Sequence, residues 1–442
     1  MNRRIFGAAV TVALFTILTR VGQVIREPVL AAWFGAGAEM DAFLTAFLIP
    51  SLLITVIAGS MSAGLIPAFV RVREQVGLAA AHRLYSSAML CGLGLLSAVT
   101  LLMGFFGPSL LPWIGYGFSA EKLELSRRLF LIFLPILIIN GLATFWAAIL
   151  NAGERFALAA AVPGVTPFVA LAFLMVMGKG WGIYALSVGT VMGFTIEAGL
   201  LAWNLRRQGY SLRPRWYGMD PSLRQAIAGF APVMIGAFLM SSTSLVNQAM
   251  AAKLGSGNVA RLAYGNKVIS LALNLAAMAL GTAVLPYFST MISRNNWSGL
   301  RHTLYRYLWL IFLTTVPMTV FLYFFSQPLT RIIFQRGAFT AEDTQVVSSV
   351  QAFYALQIPF YSAGILVVRL ISSLQMNQIL LWAAVVNLAV NIGLNYLFMR
   401  FFGVAGIALS TAVVYLVSLS FCSTFLWLKV SMARTEGGIG SL

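Results

Sequence analysis

Apolar runs long enough to cross a bilayer recur along the whole chain, and each is closed by a charged residue, a glycine or a proline. Roughly 20 apolar residues rising 1.5 Å each are needed to span a hydrocarbon core of about 30 Å. Read this way, the pattern predicts about twelve helices, near 5–33, 41–70, 79–106, 125–152, 156–177, 181–205, 222–253, 259–289, 305–325, 343–374, 378–399 and 404–430. The expected fold is an all-α polytopic membrane protein with two six-helix lobes around a central cavity. An even number of spans places both termini on the same side of the membrane.

The composition agrees. Of 442 residues, 60% are hydrophobic and only 9% charged, which excludes a soluble enzyme and leaves no stretch where a soluble domain could fold. The excess of 29 Lys+Arg over 12 Asp+Glu gives +17. In a soluble protein that surplus would raise nucleic-acid binding, but here the cations lie in short loops and are a topology signal. Sixteen, among them Arg71, Arg206, Arg213, Arg224 and Arg301, fall on the N-terminal side of the membrane. Nine, among them Lys122, Arg261 and Arg336, fall opposite. The positive-inside rule therefore puts both termini in the cytoplasm, as expected of a multi-pass protein of a bacterial inner membrane. Arg3 and Arg4 before an apolar run resemble a signal peptide, yet no small-x-small cleavage site follows, so Met1 onward reads as the first helix. Cys91 and Cys422 both lie within spans and indicate neither a disulfide framework nor a metal site.

The most basic connection, Arg206 to Arg224, carries Pro214, Gly218 and Pro221 and divides the chain into lobes 1–210 and 225–442 joined by a linker, 211–224. The lobes echo each other. Gly35-Ala36-Gly37 and Pro67-Ala68-Phe69 are matched about 220 residues on by Gly255-Ser256-Gly257 and Pro286-Tyr287-Phe288. Gly180 with Ala185-Leu186-Ser187 is matched by Gly403 with Ala408-Leu409-Ser410. A six-span unit repeated in the same orientation implies two bundles with a substrate site between them, which is a transporter plan.

Four cations stand inside predicted spans: Arg20, Arg26, Lys267 and Arg369. A cation at mid-bilayer costs about 2.5–3.5 kcal/mol on insertion scales, so it snorkels, pairs with an acid, or faces a hydrated pathway. Arg20 and Arg26 are six residues apart, close to two turns, and lie on neighbouring faces of the first span. Beside them, Glu27 could neutralise part of the charge, and Pro28 predicts a kink or interruption. Only Glu27 and Glu197 are acids deep within spans. The net positive interior suits an anion such as phosphate or pyrophosphate.

An enzyme is the weaker reading, because the external loops are short and their acids are scattered: Glu39, Asp41, Glu121, Glu124, Glu342 and Asp343. Thr340 and Asp343 have the spacing of a helix cap. His82 and His302 form no metal cluster, and no nucleotide-binding motif is present. Asn387, Asn391 and Asn395, at i, i+4 and i+8, make one polar stripe on the eleventh span. Two readings stay open: interhelical hydrogen bonding, or a weak Na⁺ site built by Asn387 and Asn391 with Asn247 of the seventh span.

Two motifs carry a family resemblance: Phe34-Gly35-Ala36-Gly37-Ala38-Glu39-Met40-Asp41-Ala42-Phe43 and Phe334-Gln335-Arg336-Gly337-Ala338-Phe339-Thr340. In these the chain resembles the MurJ/MviN family of lipid II flippases, within the multidrug/oligosaccharidyl-lipid/polysaccharide exporter superfamily. The resemblance implies a transporter, with no catalytic residues and no cofactor, that moves an undecaprenyl-diphosphate-linked glycan across the inner membrane by alternating access. It implies that Arg20, Arg26, Lys267 and Arg369 hold the diphosphate, with Glu27 and Asp41 supporting them. The implied partners are the lipid-linked glycan and membrane lipids, not nucleic acid, and a single copy would suffice. The chain also departs from the family pattern: Ile54, Thr55 and Gly59 follow Pro50-Ser51-Leu52-Leu53 where an Arg pair and a Glu are usual, Asn247 replaces a carboxylate of the sodium site, and two further C-terminal helices are missing. These departures leave open an exopolysaccharide or O-antigen repeat unit as the cargo. A cation-coupled multidrug exporter is the second alternative, and it would call for acids in the cavity where this chain has bases.

Overall fold

A computed structural model describes Thr19, Gly22 and residues 25–153, 156–294, 296–374 and 376–436. The described residues form helices and connecting turns, with no strand among them. In chain order the helices are α1 (Ala38–Leu53), α2 (Ser60–Gln75), α3 (Leu78–Ile114), α4 (Ala120–Ala152), α5 (Phe156–Ala161), α6 (Val165–Trp181), α7 (Ile183–Arg207) and α8 (Pro221–Lys253). They continue as α9 (Asn258–Ser293), α10 (Trp297–Phe324), α11 (Ser326–Phe334), α12 (Ala341–Ala355), α13 (Ile358–Ser373), α14 (Asn377–Phe402) and α15 (Val404–Glu436). Ten helical stretches among the described residues are long and apolar enough to cross a membrane, and α9 is a further helix of 36 residues. The chain is a multi-pass membrane protein. Most of the first span read from the sequence lies outside the described residues.

Several spans are less regular than the hydropathy pattern shows. The run at 41–70 is α1 and α2 joined by a π-helical segment, Ile54–Gly59, just beyond Pro50. The run at 156–177 turns through a 3₁₀ segment, Val162–Gly164, containing Pro163. The run at 343–374 divides at Leu356–Gln357, ahead of Pro359. Each proline withdraws a backbone donor, and the local hydrogen-bond pattern shifts or restarts nearby. Conversely, α3 runs eight residues beyond the expected end at 106, through Pro108 and Pro112. The short helix α11 was absent from the expectation. It buries Ser326, Thr330 and Phe334 along one face at i, i+4 and i+8.

The chain separates into two compact units, Met1–Ser241 and Ser242–Leu442, the boundary falling inside α8. A core cluster in the first unit gathers Phe69, Tyr85, Phe145 and Leu150. One in the second gathers Phe288, Leu366, Leu370 and Ile371. The basic connection after α7 is fastened to the first unit. The Ser86 hydroxyl accepts from the Arg215 N–H at 2.6 Å, and the Ser87 hydroxyl from the Tyr217 N–H at 3.1 Å. Tyr210 packs its ring 5.4 Å from Tyr85 and 4.4 Å from His82. That burial pushes the Tyr210 hydroxyl above its ordinary pKa, partly offset by Arg73.

Candidate functional site

In the first unit, Arg26 is half-buried beside Glu27, its Nη1 4.0 Å from Glu27 Oε1. That distance is too long for a hydrogen bond, and Arg26 Nε is buried with no acceptor. Glu27 is 8% exposed. Across Pro28, residues 25–34 are helical among the described residues, and the Gly35 N–H closes on the Ala31 carbonyl at 2.8 Å. Proline withdraws one donor without stopping the turns that follow. Arg20 lies outside the described residues. Its neighbours bring the first span onto the corner ahead of α6. Thr19 donates to the Ala160 carbonyl at 3.2 Å, and a Cβ on Gly22 would meet the Phe168 ring at 2.8 Å.

Asp41 is held differently from a ligand-facing acid. It is fully buried in the first turn of α1 and paired with Lys122, which is 5% exposed at the start of α4. The Phe118 ring lies 3.8 Å from Lys122 Nζ, and Ser119 caps α4 by accepting from the Lys122 N–H at 3.3 Å. The sequence reading grouped Lys122 with loop and helix-end cations. The structure buries it as the partner of a buried acid, which charge counting along the chain does not reveal.

In the second unit, Lys267 is half-buried on α9 and Arg369 is exposed on α13, two helices that pack together. On the side of α9 facing α12, a Cβ on Gly265 would come within 2.8 Å of Val350 Cβ. Arg369 stands next to Leu370, which is 1% exposed in the core. Arg261, at the start of α9, bonds Asp343 at 2.9 Å and Glu342 at 3.3 Å. Asp343 in turn completes the capping box with Thr340 that the sequence spacing predicts.

Of the three amides read as a cation site, Asn247 and Asn391 come together, and the link is Asn395. Its Nδ2 donates to Asn247 Oδ1 at 2.8 Å and to Asn391 Oδ1 at 3.2 Å. Asn247 donates to Thr411 Oγ1 at 3.2 Å, and Tyr354 also hydrogen-bonds Thr411. Asn387 faces elsewhere and donates to Ser418 at 3.0 Å. Asn247 Oδ1 and Asn391 Oδ1 each accept one N–H from Asn395, whose own Oδ1 is buried without a donor. The hydrogen bond from Asn395 to Asn247 locks α14 to α8. Among the described residues, no three His, Cys, Asp or Glu side chains gather as a metal site.

These features recur at an offset of 220 or 221 residues. Asp41 and Lys122 correspond to Arg261 and Asp343, the same pair with the charges exchanged. Phe118 and Ser119 correspond to Phe339 and Thr340. On the later spans, Thr166 donates to Glu197 Oε2 at 2.9 Å where Asn387 donates to Ser418 at 3.0 Å. Gly182 (φ 51°, ψ −128°) matches Gly403 (φ 55°, ψ −136°), both in a region open to glycine alone. The sequence reading aligned Gly180 with Gly403, and the backbone moves that register to Gly182. An offset of 221 residues along the sequence links Lys122 to Asp343.

Two helical units built on one repeated plan, with cations inside the spans of each, are the plan of a multi-pass membrane transporter. The chain belongs to the family described as "Lipid II flippase MurJ", whose model matches residues 30–437. The relatives include a "Probable lipid II flippase MurJ" of Bdellovibrio bacteriovorus, 26% identical over 424 residues, which cover 94% of this chain and 81% of that protein. Among solved structures, "Lipid II flippase MurJ, inward closed conformation" superposes with a TM-score of 0.80 at 22% identity, over 96% of this chain and 90% of that one. A multidrug resistance transporter of the MATE family, in an inward-facing conformation, gives 0.81 at 14% identity, over 97% and 99%. At those identities the structural likenesses speak to the fold alone.

Proposed function

We propose that the chain flips an undecaprenyl-diphosphate-linked glycan, a lipid II-like precursor of peptidoglycan, across a bacterial inner membrane by alternating access. Its lobes would be 1–210 and 225–442, joined by 211–224, with both termini cytoplasmic and one copy sufficient. Family membership over residues 30–437 supports this reading. Within the structure, Arg26 carries it: a half-buried guanidinium whose Nε has no acceptor and whose neighbouring acid stands 4.0 Å away. A diphosphate would supply acceptors in the planar arrangement that arginine matches best.

In this mechanism Arg20 and Arg26 from the first unit and Lys267 and Arg369 from the second hold the diphosphate while the lipid tail stays in the bilayer. Each charge-assisted hydrogen bond is worth about 1.5–3 kcal/mol, enough for capture and weak enough for release. A membrane potential negative inside drives an anion outward with about 2.3 kcal/mol per charge per 100 mV. No coupling ion is then needed, in keeping with the amide lock at Asn247, Asn391 and Asn395. The multidrug alternative calls for acids within the spans, where Glu27 and Glu197 stand against four cations.

Complementation of a bacterium whose own lipid II flippase can be shut off tests the reading. Growth on this gene with the endogenous flippase depleted is the expected result. Lysis on depletion, with the protein present in the membrane, would overturn it, and restored export of a lipid-linked exopolysaccharide unit would move the assignment to that cargo.

A further inference from the structure

Glu197 is the one deep acid that the transport reading leaves without a role. It lies on α7 and is 6% exposed, and its carboxylate accepts one hydrogen bond, from the Thr166 hydroxyl of α6 at 2.9 Å. The two helices touch closely here, since a Cβ on Gly193, one turn before Glu197, would meet Thr166 Cα at 2.8 Å. No room is left for a cationic side chain to reach in from α6.

Among the described residues, the charged groups on the elements packed against α7 are accounted for; Arg20 of the first span lies outside them. On α6 the one charge is Lys179, at the far end of the helix from Thr166. On α4 the charges are Glu121, Lys122, Glu124, Arg127 and Arg128, all in its opening turns. Arg128 bonds Tyr184 at the start of α7, and Glu197 comes thirteen residues after Tyr184, about 20 Å along the helix. On α1 the charges are Glu39 and Asp41 in the first turn, the latter bound to Lys122. The segment Val162–Gly164 carries none. On the first span, Arg26 turns Nη1 toward Glu27. On α7 itself, Arg206 and Arg207 stand in the last turn, nine and ten residues on, about 14 Å away.

A carboxylate buried in a span with a single neutral donor would carry an uncompensated charge. Taking a proton from water removes that cost at once. The repeat sharpens the point. At the equivalent positions of the second unit stand Asn387 and Ser418, a pair that makes the same interhelical hydrogen bond with no ionisable group. Ionisability is therefore not required for packing α6 on α7. From the burial, the lone hydroxyl partner and this neutral counterpart, we infer that Glu197 is a proton-binding site of the first unit, holding a neutral carboxylic acid against Thr166 at neutral pH.

The site can be read without reference to the cargo. Dicyclohexylcarbodiimide reacts with protonated carboxyls in apolar surroundings. Applied to the full-length protein in liposomes and mapped by peptide mass spectrometry, it should modify Glu197 at neutral pH. Above the midpoint, labelling should fall about tenfold per pH unit. Glu197→Gln should abolish it. Thr166→Val removes the donor that favours the charged form, so labelling should persist to higher pH than in the parent. A wild-type protein unlabelled at Glu197 at neutral pH, a level of labelling independent of pH, or a Thr166→Val midpoint that moves down would each overturn the inference. If Glu197→Gln fails to insert, the wild-type pH series and Thr166→Val decide alone. A failed complementation would count against the flippase reading and leave this result untouched.

Discussion

The two units solve the same packing problems with different chemistry. Where α1 and α4 begin, the first unit buries an acid against a lysine, with Asp41 fully enclosed and Lys122 5% exposed. At the equivalent place the second unit reverses the sign, with the Arg261 side chain 19% and the Asp343 side chain 8% exposed, and adds the exposed Glu342 as a second partner of Arg261. The first unit joins its fifth and sixth spans through an acid and a hydroxyl, the second through an amide and a hydroxyl. Where the second unit locks Asn391 and Asn395 to Asn247, the first has Ala170, Leu174 and the buried acid Glu27. Geometry has been kept while charge has been redistributed, leaving the unit that holds Arg26 with three of the four enclosed acids among the described residues.

The largest expected effect separates the two ion pairs. Lys122→Met strands a buried carboxylate and should destabilise the protein by about 3–5 kcal/mol, read as thermal unfolding in detergent. Arg261→Met should lose less than half of that, because Asp343 keeps its hydrogen bonds from the Thr340 N–H and hydroxyl and Glu342 is exposed to water. Exchanging the charges in the first unit, Asp41→Lys with Lys122→Asp, should recover most of the loss. Equal losses at the two pairs would end the comparison.

Next comes the amide lock. Asn395→Leu leaves the Asn247 and Asn391 carbonyls without a donor and should cost about 2 kcal/mol or more. Adding Asn391→Ala, which copies Ala170 and Leu174 of the first unit, should restore part of it, since removing both partners is cheaper than orphaning one. Gly182→Ala and Gly403→Ala should each cost about 1–3 kcal/mol, and by the same amount, because the two backbones share one conformation. The smallest effect is Thr166→Val, a loss of about 1 kcal/mol for one hydrogen bond.

The span pattern was legible because an apolar helix in lipid advertises itself by length, and charges and glycines mark its ends. The repeat was visible in Gly35 and Gly255, where turns demand glycine. What composition could not show was pairing across long separations: Lys122 with Asp41, Thr166 with Glu197, Asn395 with Asn247. Each partner sits on a different span, and nothing local to it names the other. The π segment after Pro50 and the break before Pro359 escaped for a related reason. Hydropathy records where a helix is buried and says little about which backbone bond yields.

The claim on which the transport account rests is that the cations inside the spans hold a diphosphate. Binding of an undecaprenyl-diphosphate glycan to the purified, reconstituted protein measures it, with Arg20, Arg26 and Lys267 replaced by Ala singly and together. The account predicts that affinity falls by about tenfold or more with each charge removed, while the triple variant still inserts and unfolds cooperatively. A triple variant that binds and flips the glycan as well as the parent would contradict it.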